Sequence, residues 1–274
     1  MDIKKFAVIG GAAVAAAALP VWFLAPGRAT GEQKAPFIGK NCAHRGLHTQ
    51  DFSTPENSLK GFDAAASAGY GIELDVQLSK DGQVVVFHDD DLKRVCGIDS
   101  MVNEKTYLEL NKTSLRGTKE TVPLFIDVLS TINGRGGPLI VELKSAGKKN
   151  RELCEKTYEI LKNYKGTFCV ESFDPRIVFW FRLHAGEIIR GQLAMKKEYY
   201  KGSRFFGWAM SVNLYNFLTR PHFIAYDLDS KFPLSCSISC ALGAIHVGWT
   251  SHDVKNEKRC DTVIFEFYRP NTEY

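Results

Sequence analysis

The chain has 274 residues, of which 45% are hydrophobic and 24% charged, a composition typical of a folded globular protein. This excludes disorder along most of the chain and a collagen-like protein. Lys and Arg number 35 against 31 Asp and Glu, and no basic stripe interleaved with aromatic residues is present. The net charge of +4 is therefore too small to indicate nucleic acid as a partner.

The N-terminal segment is predicted to lie in a membrane. Phe6 to Ala25 form 20 consecutive uncharged residues, which is enough to cross a bilayer as a helix, and two lysines precede them. We expect residues 1–26 to act as an uncleaved signal anchor, a single-pass transmembrane segment that leaves the following domain on the extracytoplasmic side. Cleavage as a signal peptide, followed by secretion, is the alternative. Residues 27–37 are polar, contain Gly and Pro, and are interpreted as a tether.

From residue 38 onward, short apolar runs alternate with amphipathic stretches, which is the pattern of β-α units around a parallel sheet. Eight strands are predicted, at 38–43, 71–78, 139–143, 167–171, 187–192, 222–226, 244–249 and 262–266. Helices are predicted over 58–68 and 151–164, where apolar residues recur at helical spacing. The sequence therefore predicts an α/β fold, a (β/α)₈ TIM barrel formed by one domain over residues 38–274.

One segment departs from this alternation. Asp81-Gly82 supplies the backbone conformation of a tight turn and predicts a hairpin between the second strand and residues 83–87. The chain that follows, to about Thr121, is too long for an ordinary loop of a barrel. We therefore predict a small insertion after the second strand, at about 81–121, over the barrel mouth.

Residues 204–218 are unusually rich in aromatic side chains. A barrel helix with a broad buried face is the favoured interpretation. A lip that meets the membrane and admits lysolipids is the alternative.

Acidic side chains mark the predicted ends of the second and third strands. Glu73 and Asp75 are two residues apart on a strand and therefore point to the same side. Two carboxylates in one site repel each other unless a cation lies between them. Glu142 and Lys144 have the same spacing on the third strand. Each pair alone is more typical of an ordinary ion pair, but together they lie at the edge where a barrel holds its active site.

Two histidines are predicted at the same edge. His44 and Arg45 follow the first strand, and His88 follows the hairpin. A single histidine is usually structural, whereas two beside a barrel mouth suggest a general acid and a general base.

A series of motifs connects these residues: AHRG at 43–46, PENS at 55–58, GIELDVQLSKDG at 71–82, VVFHDDDL at 85–92, VELK at 141–144 and ESFDP at 171–175. In this order, they resemble the glycerophosphodiester phosphodiesterase family. The similarity runs from about Asn41 to Pro175 and resumes near Trp249 and over 264–270.

The resemblance implies a metal-dependent TIM barrel and roles for eight residues: His44 and His88 as the catalytic pair, Glu73, Asp75 and Glu142 as metal ligands, Arg45 and Lys144 as phosphate contacts, and Trp249 as a wall of the glycerol site. Glu171 is a further candidate that contacts the metal or orients Lys144. Its alternative role is to cap the helix that begins near Asp174. For Trp249, the alternative is an ordinary place in the core.

The three proposed ligands are all carboxylates, with no Cys or His among them. Such an all-oxygen set suits Ca²⁺ or Mg²⁺ and argues against Zn²⁺. The expected activity is hydrolysis of glycerophosphodiesters to glycerol 3-phosphate and an alcohol, with His44 and His88 as acid and base. The resemblance also implies that the neighbouring glycerol hydroxyl attacks first and gives a cyclic phosphate, which water then opens.

Three rival functions are open at this point. A lysophospholipase D-type enzyme would use the same residues on a substrate that still carries an acyl chain. An amidohydrolase would require His-x-His after the first strand, and His44-Arg45-Gly46 lacks this motif. A catalytically silent phosphodiester-binding protein would be expected to lack part of the histidine pair.

Overall fold

The computed structural model describes residues 21–274, and its centre is a closed barrel of eight parallel strands. These strands are β1 (Lys40–Ala43), β2 (Gly71–Leu78), β4 (Leu139–Leu143), β5 (Phe168–Ser172), β6 (Arg190–Ala194), β7 (Phe223–Asp227), β8 (Ile245–Ser251) and β9 (Thr262–Phe265). A further strand, β3 (Val84–Val86), pairs with β2 in the antiparallel direction. The hydrogen-bonded order is β1-β9-β8-β7-β6-β5-β4-β2-β3, and β1 also pairs with β2, which closes the barrel. The predicted TIM barrel is confirmed.

The helices of the barrel and of the segment that follows β3 are α1 (Gly31–Lys34), α2 (Leu59–Ser67), α3 (Lys93–Cys96), α4 (Tyr107–Leu110), α5 (Phe125–Ile132), α6 (Asn150–Leu161), α7 (Pro175–His184), α8 (Arg204–Ser211), α9 (Asn216–Thr219) and α10 (Leu234–Ala241). The helix α2 shows how the sequence sets their bounds. The Ser58 hydroxyl accepts a hydrogen bond from the Gly61 backbone N–H and caps the helix. Phe62 and Ala65 then lie on its buried face, in the main core cluster with residues of β2 and β4.

The register of the strands brings the predicted site residues to one edge. Asp75 on β2 lies beside Glu142 on β4, and Glu142 lies beside Glu171 on β5. On the other side of β2, Ala43 at the end of β1 pairs with Ile72 and with Phe265 of β9. Because all these strands are parallel, the residues that follow them meet at the carboxyl end of the barrel.

The segment after β2 forms the predicted hairpin and then a lobe with its own small core. Gly82 has φ +74°, the left-handed conformation that the turn requires. The core of the lobe consists of Val85, Phe87, Leu92, Val95, Val102, Leu110, Leu115 and Val122, all buried. His88 directly follows β3, so the lobe places this imidazole at the barrel mouth.

Residues 204–218 do not form one continuous helix. The helix α8 ends at Ser211, Asn213 adopts a left-handed conformation with φ +53°, and α9 begins at Asn216. The buried face of α8 consists of Gly207, Ala209, Met210 and Ser211, whereas its aromatic residues are exposed. The prediction of one barrel helix with a broad buried face over 204–218 is therefore wrong.

The predicted membrane anchor lies almost wholly outside the described residues. At its end, residues 21–24 are helical, and the ring of Phe23 packs against Phe217 with centroids 4.9 Å apart. Within residues 21–274, none of the helices has the length and apolar character needed to span a membrane.

The lobe gives a stability prediction. Leu110 is fully buried in the lobe core, whereas Leu108 on the same helix is 66% exposed. We expect Leu110→Ala to lower the free energy of unfolding by about 2–5 kcal/mol because it removes buried methyl groups and leaves a cavity. Leu108→Ala should change it by less than about 0.5 kcal/mol. Urea denaturation followed by circular dichroism checks both, and equal effects would contradict the lobe packing.

Candidate active site

Three carboxylates meet at the carboxyl end of β2 and β4. One oxygen each from Glu73, Asp75 and Glu142 lies within 4.8 Å of the other two, and all three side chains are buried. Glu171, at the end of β5, is only 2% exposed and adds a fourth acid. One buried oxygen of Asp75 (Oδ1) and one of Glu171 (Oε2) accept no hydrogen bond. Buried acceptors without a donor are costly, so this cluster has room for an additional positive ligand.

The ionisation of these acids reflects their crowding. Burial raises the pKa of Glu73 well above its ordinary value, and the charges of Asp75 and Glu142 raise it further. Burial and the charge of Glu142 likewise raise the pKa of Glu171 well above its ordinary value. A divalent cation would relieve this repulsion, and Ca²⁺ and Mg²⁺ are the ions that prefer carboxylate oxygens. The residues present therefore fit a divalent metal.

Lys144 carries the positively charged side chain that lies nearest to these carboxylates. Its Nζ lies 2.8 Å from Glu142 Oε1 and 3.5 Å from Asp75 Oδ1. Burial opposes its charge, but the two carboxylates outweigh burial and raise the pKa of the ammonium. Burial acts to raise the pKa of Asp75, but the nearby His88 and Lys144 outweigh burial and hold the pKa of this carboxyl low. A single ammonium thus compensates only part of the acidic charge.

The loop after β1 is fixed by backbone hydrogen bonds. Arg45 has φ +52°, an uncommon conformation for a residue other than glycine. Its backbone N–H donates to Glu73 Oε2 at 2.9 Å, and its carbonyl accepts from the Asn57 N–H, also at 2.9 Å. The Asn57 side chain in turn donates to Asp75 Oδ2 at 2.9 Å. The PENS motif therefore orients a metal-ligand candidate and holds the Arg45 backbone.

His44 is oriented by a residue to which the sequence analysis gave no role. Its Nδ1 lies 3.2 Å from Glu266 Oε1, and His48 Nε2 lies 2.9 Å from the same oxygen. Burial lowers the pKa of His44 to about 4. Glu266 follows β9, so the strand-end rule that pointed to Glu73 and Glu142 also applies to it. Nothing in the sequence indicates that Glu266 also pairs with His48.

A chain of ion pairs links the lobe to the barrel. His88 Nδ1 lies 2.7 Å from Asp89 Oδ1, and Arg94 Nε donates to Asp89 Oδ2 at 2.7 Å. Arg94 also binds Glu56 through both terminal nitrogens, at 2.6 and 2.7 Å. Arg45 Nη1 donates to Glu56 Oε1 at 2.7 Å. Glu56 is thus shared by an arginine of the barrel and an arginine of the lobe.

Seven of the nine predicted site residues line one pocket: His44, Arg45, Glu73, His88, Glu142, Glu171 and Trp249. The other two, Asp75 and Lys144, are bonded to this group through Asn57 and Glu142. The ring of Trp249 meets the ring of Phe173 edge to face, with centroids 5.6 Å apart. The capping role considered for Glu171 is wrong, because Asp174 caps α7 by accepting from the Arg176 N–H.

Comparisons with known proteins show the family of this chain. The model of the glycerophosphoryl diester phosphodiesterase family matches residues 44–227. A glycerophosphodiester phosphodiesterase of Bacillus altitudinis is 34% identical over 131 residues, which are 45% of this chain and 52% of that protein. Lysophospholipase D GDPD1 of Rattus norvegicus is 30% identical over 146 residues, which are 48% of this chain and 44% of that protein. The chain thus spans about half the length of the curated relatives it matches.

A solved structure shares the fold. It is an Oleispira antarctica phosphodiesterase in complex with the product sn-glycerol-3-phosphate. The TM-score is 0.68 at 24% identity, and the match covers 83% of this chain and 93% of the other. This likeness agrees with the barrel described above.

The carboxylate cluster gives a prediction for metal binding. Ca²⁺ or Mg²⁺ should raise the melting temperature of the chelator-treated protein, because an ion bound only to the folded state adds about 2.7 kcal/mol of stability at a concentration 100 times its Kd. Glu142→Gln should weaken this effect strongly, whereas Glu155→Gln, a change in an exposed acid of α6, should keep it. Differential scanning fluorimetry is the measurement. An equal response in both variants would contradict the proposed ligand set.

Proposed function

Because the chain belongs to the glycerophosphoryl diester phosphodiesterase family, we propose that it hydrolyses glycerophosphodiesters to glycerol 3-phosphate and an alcohol with the help of one divalent cation, Ca²⁺ or Mg²⁺. The observation that carries this proposal is the grouping of an acidic cluster, an arginine and two histidines around one pocket. The rival amidohydrolase is disfavoured because His44-Arg45-Gly46 lacks the His-x-His motif after the first strand, and because the cluster of Glu73, Asp75 and Glu142 contains no histidine.

The residues divide between holding the ion and holding the phosphate. Glu73, Asp75 and Glu142 would hold the cation, which supplies charge compensation to a non-bridging phosphate oxygen. Arg45 presents a planar guanidinium that Glu56 fixes at the pocket, and a guanidinium can bind two phosphate oxygens. Lys144 contributes a point charge beside the ligands. These donors are preorganised by buried contacts, so the charge that develops in the transition state meets fixed partners.

His44 and His88 are proposed as the acid–base pair. Support comes from their carboxylate partners, Glu266 and Asp89, each of which faces Nδ1 of its histidine. A carboxylate accepts but does not donate, so the proton belongs on Nδ1 and Nε2 of each ring is left for the substrate. One imidazole then takes the proton of the attacking hydroxyl, and the other donates a proton to the leaving alkoxide.

The proposed sequence of steps has two parts. The 2-hydroxyl of glycerol attacks phosphorus, the bond from phosphorus to the alcohol oxygen breaks, and the alcohol leaves with a proton. Water then opens the cyclic phosphate and gives glycerol phosphate. Detection of a cyclic glycerophosphate in a stopped reaction would support this order. Single-step inversion at phosphorus with solvent oxygen would contradict it.

We also propose that the enzyme acts on the extracytoplasmic side of a membrane, held by the segment at residues 1–26. The uncharged run of 20 residues and the two lysines before it are the support. Protease treatment of intact cells tests the location. The full chain should sediment with membranes and be digested from outside, whereas recovery of the processed domain in the medium would indicate a cleaved signal.

The first activity prediction concerns substrate and metal together. The wild-type protein should release glycerol 3-phosphate from glycerophosphocholine, and chelation should stop the release until Ca²⁺ or Mg²⁺ is restored. Glu73→Ala should lower the rate by at least about a hundredfold, since it removes an ion ligand and the acceptor of the Arg45 N–H. A coupled dehydrogenase assay measures the product. A wild-type protein that binds glycerophosphocholine but never cleaves it would favour the silent binding protein.

The second activity prediction separates the two histidines. His44→Ala and His88→Ala should each reduce cleavage of glycerophosphocholine by roughly 10²–10⁴-fold. With a p-nitrophenyl leaving group, which departs without a proton, only the variant that lacks the general acid should recover. Rates on both substrates are compared for the two variants. Recovery of both, or of neither, would contradict a division into one acid and one base.

A further inference from the structure

A second group of metal-ligating side chains lies at the same end of the barrel as the carboxylate cluster. It consists of His44, His48 and Glu266. One nitrogen from each histidine and one oxygen of Glu266 lie within 4.8 Å of one another. The mechanism proposed above gives no role to His48 and uses Glu266 only to orient His44. The purpose of the second imidazole on the same carboxylate is therefore open.

The three side chains come from two segments that the barrel holds side by side. His44 and His48 lie after β1, and Glu266 directly follows β9, which pairs with β1. The His44 backbone N–H donates to the Phe265 carbonyl at 2.9 Å, which fixes the two segments relative to each other. The ring of His48 is buried and meets the ring of Phe267 edge to face, with centroids 4.9 Å apart. Backbone pairing and packing thus preorganise the donor atoms.

The spacing and the donor types of this group fit a zinc ion. Glu266 Oε1 lies 3.2 Å from His44 Nδ1 and 2.9 Å from His48 Nε2. Zn²⁺ binds such atoms at about 2.0–2.2 Å, so the ligands of a tetrahedral ion lie about 3.3 Å from one another. Two histidines and one glutamate, with a fourth position open to water, are also a ligand set of catalytic zinc sites. Imidazole donors favour Zn²⁺ over Ca²⁺ and Mg²⁺.

The charges around the group permit a cation to bind. Glu266 supplies a negative charge, and the nearby Arg45 is compensated by other acids. Its Nη1 lies 2.7 Å from Glu56 Oε1, and its Nε lies 3.6 Å from Asp75 Oδ2. The side chains of His44 and Glu266 are 15% and 16% exposed, so an ion can reach them from solvent.

We propose that His44, His48 and Glu266 form a second metal site, which binds Zn²⁺ and inhibits the enzyme. The inhibition rests on the proposed function, in which His44 exchanges a proton with the substrate through Nε2. Zn²⁺ takes the lone pair of Nδ1, so the single proton of the neutral ring moves to Nε2. That nitrogen can then no longer accept a proton, and a neutral ring is a much weaker acid than an imidazolium. The bound ion therefore blocks His44 as base and as acid alike.

The binding test uses Co²⁺ in place of Zn²⁺, because four-coordinate Co²⁺ absorbs visible light far more strongly than six-coordinate Co²⁺. The chelator-treated full chain is given excess Mg²⁺ to fill the carboxylate cluster and is then titrated with Co²⁺. The wild-type protein and Glu142→Gln should develop the strong band, and His48→Gln should lose it. His252→Gln is the matched control and should keep the band, because this exposed histidine contacts the backbone carbonyl of Glu266 and not its carboxylate. A full band in His48→Gln would overturn the site.

A second measurement covers the case in which His48→Gln does not fold. X-ray absorption at the zinc edge of the wild-type protein, with Mg²⁺ in excess, should show scattering from two imidazole rings. Coordination by oxygen alone would overturn the site.

The inhibition test measures cleavage of glycerophosphocholine by phosphorus NMR in excess Ca²⁺ with increasing Zn²⁺. His48→Gln should raise the Zn²⁺ concentration that halves the activity by at least about tenfold, since even the loss of an outer partner of a metal site costs 10–100-fold in affinity. His252→Gln should keep it within about twofold. Relief of inhibition by more Ca²⁺ would assign Zn²⁺ to the carboxylate cluster and overturn the proposal while the proposed function stands. A protein inactive on every substrate would overturn the proposed function and the inhibition, whereas the Co²⁺ spectrum would still decide the site.

Discussion

The candidate site depends on how the repulsion among four buried carboxylates is compensated, because the barrel forces these groups together. In a parallel barrel, neighbouring strands end at the same edge, so Glu73, Asp75, Glu142 and Glu171 are brought together and away from water. Like charges in a buried site are tolerated only with compensation. Lys144 and Arg45 provide part of it, through contacts to Glu142 and Asp75. The remaining charge makes the site an attractive place for a divalent cation.

The two proposed acid–base residues come from different parts of the molecule. His44 follows β1, whereas His88 follows a strand that pairs with β2 and leads into the lobe. Glu56 joins the two parts because it accepts from Arg45 of the barrel and from Arg94 of the lobe. These two partners hold the pKa of Glu56 at about 2 in spite of its burial. A shared acceptor of this kind fixes the position of one histidine relative to the other.

The sequence predicted the barrel well because the relevant signals are local. The alternation of apolar runs with amphipathic stretches predicted β2 and β4 at the bounds that the structure shows, and Asp81-Gly82 predicted the hairpin. Contacts between distant residues were harder to predict. Glu266 lies more than 200 residues from His44 and His48, and nothing near it in the sequence indicates two imidazole partners. The helix expected over 204–218 is broken because Asn213 adopts a left-handed conformation, which apolar periodicity does not report.

The separate core of the lobe has a consequence for the proposed activity. Its cluster of eight buried apolar residues is much smaller than the main core, so opening the lobe alone exposes less surface than unfolding the barrel. Yet the lobe carries His88 and one of the two arginines on Glu56. Any local opening of the lobe would therefore displace a proposed catalytic histidine even while the strands of the barrel stay paired.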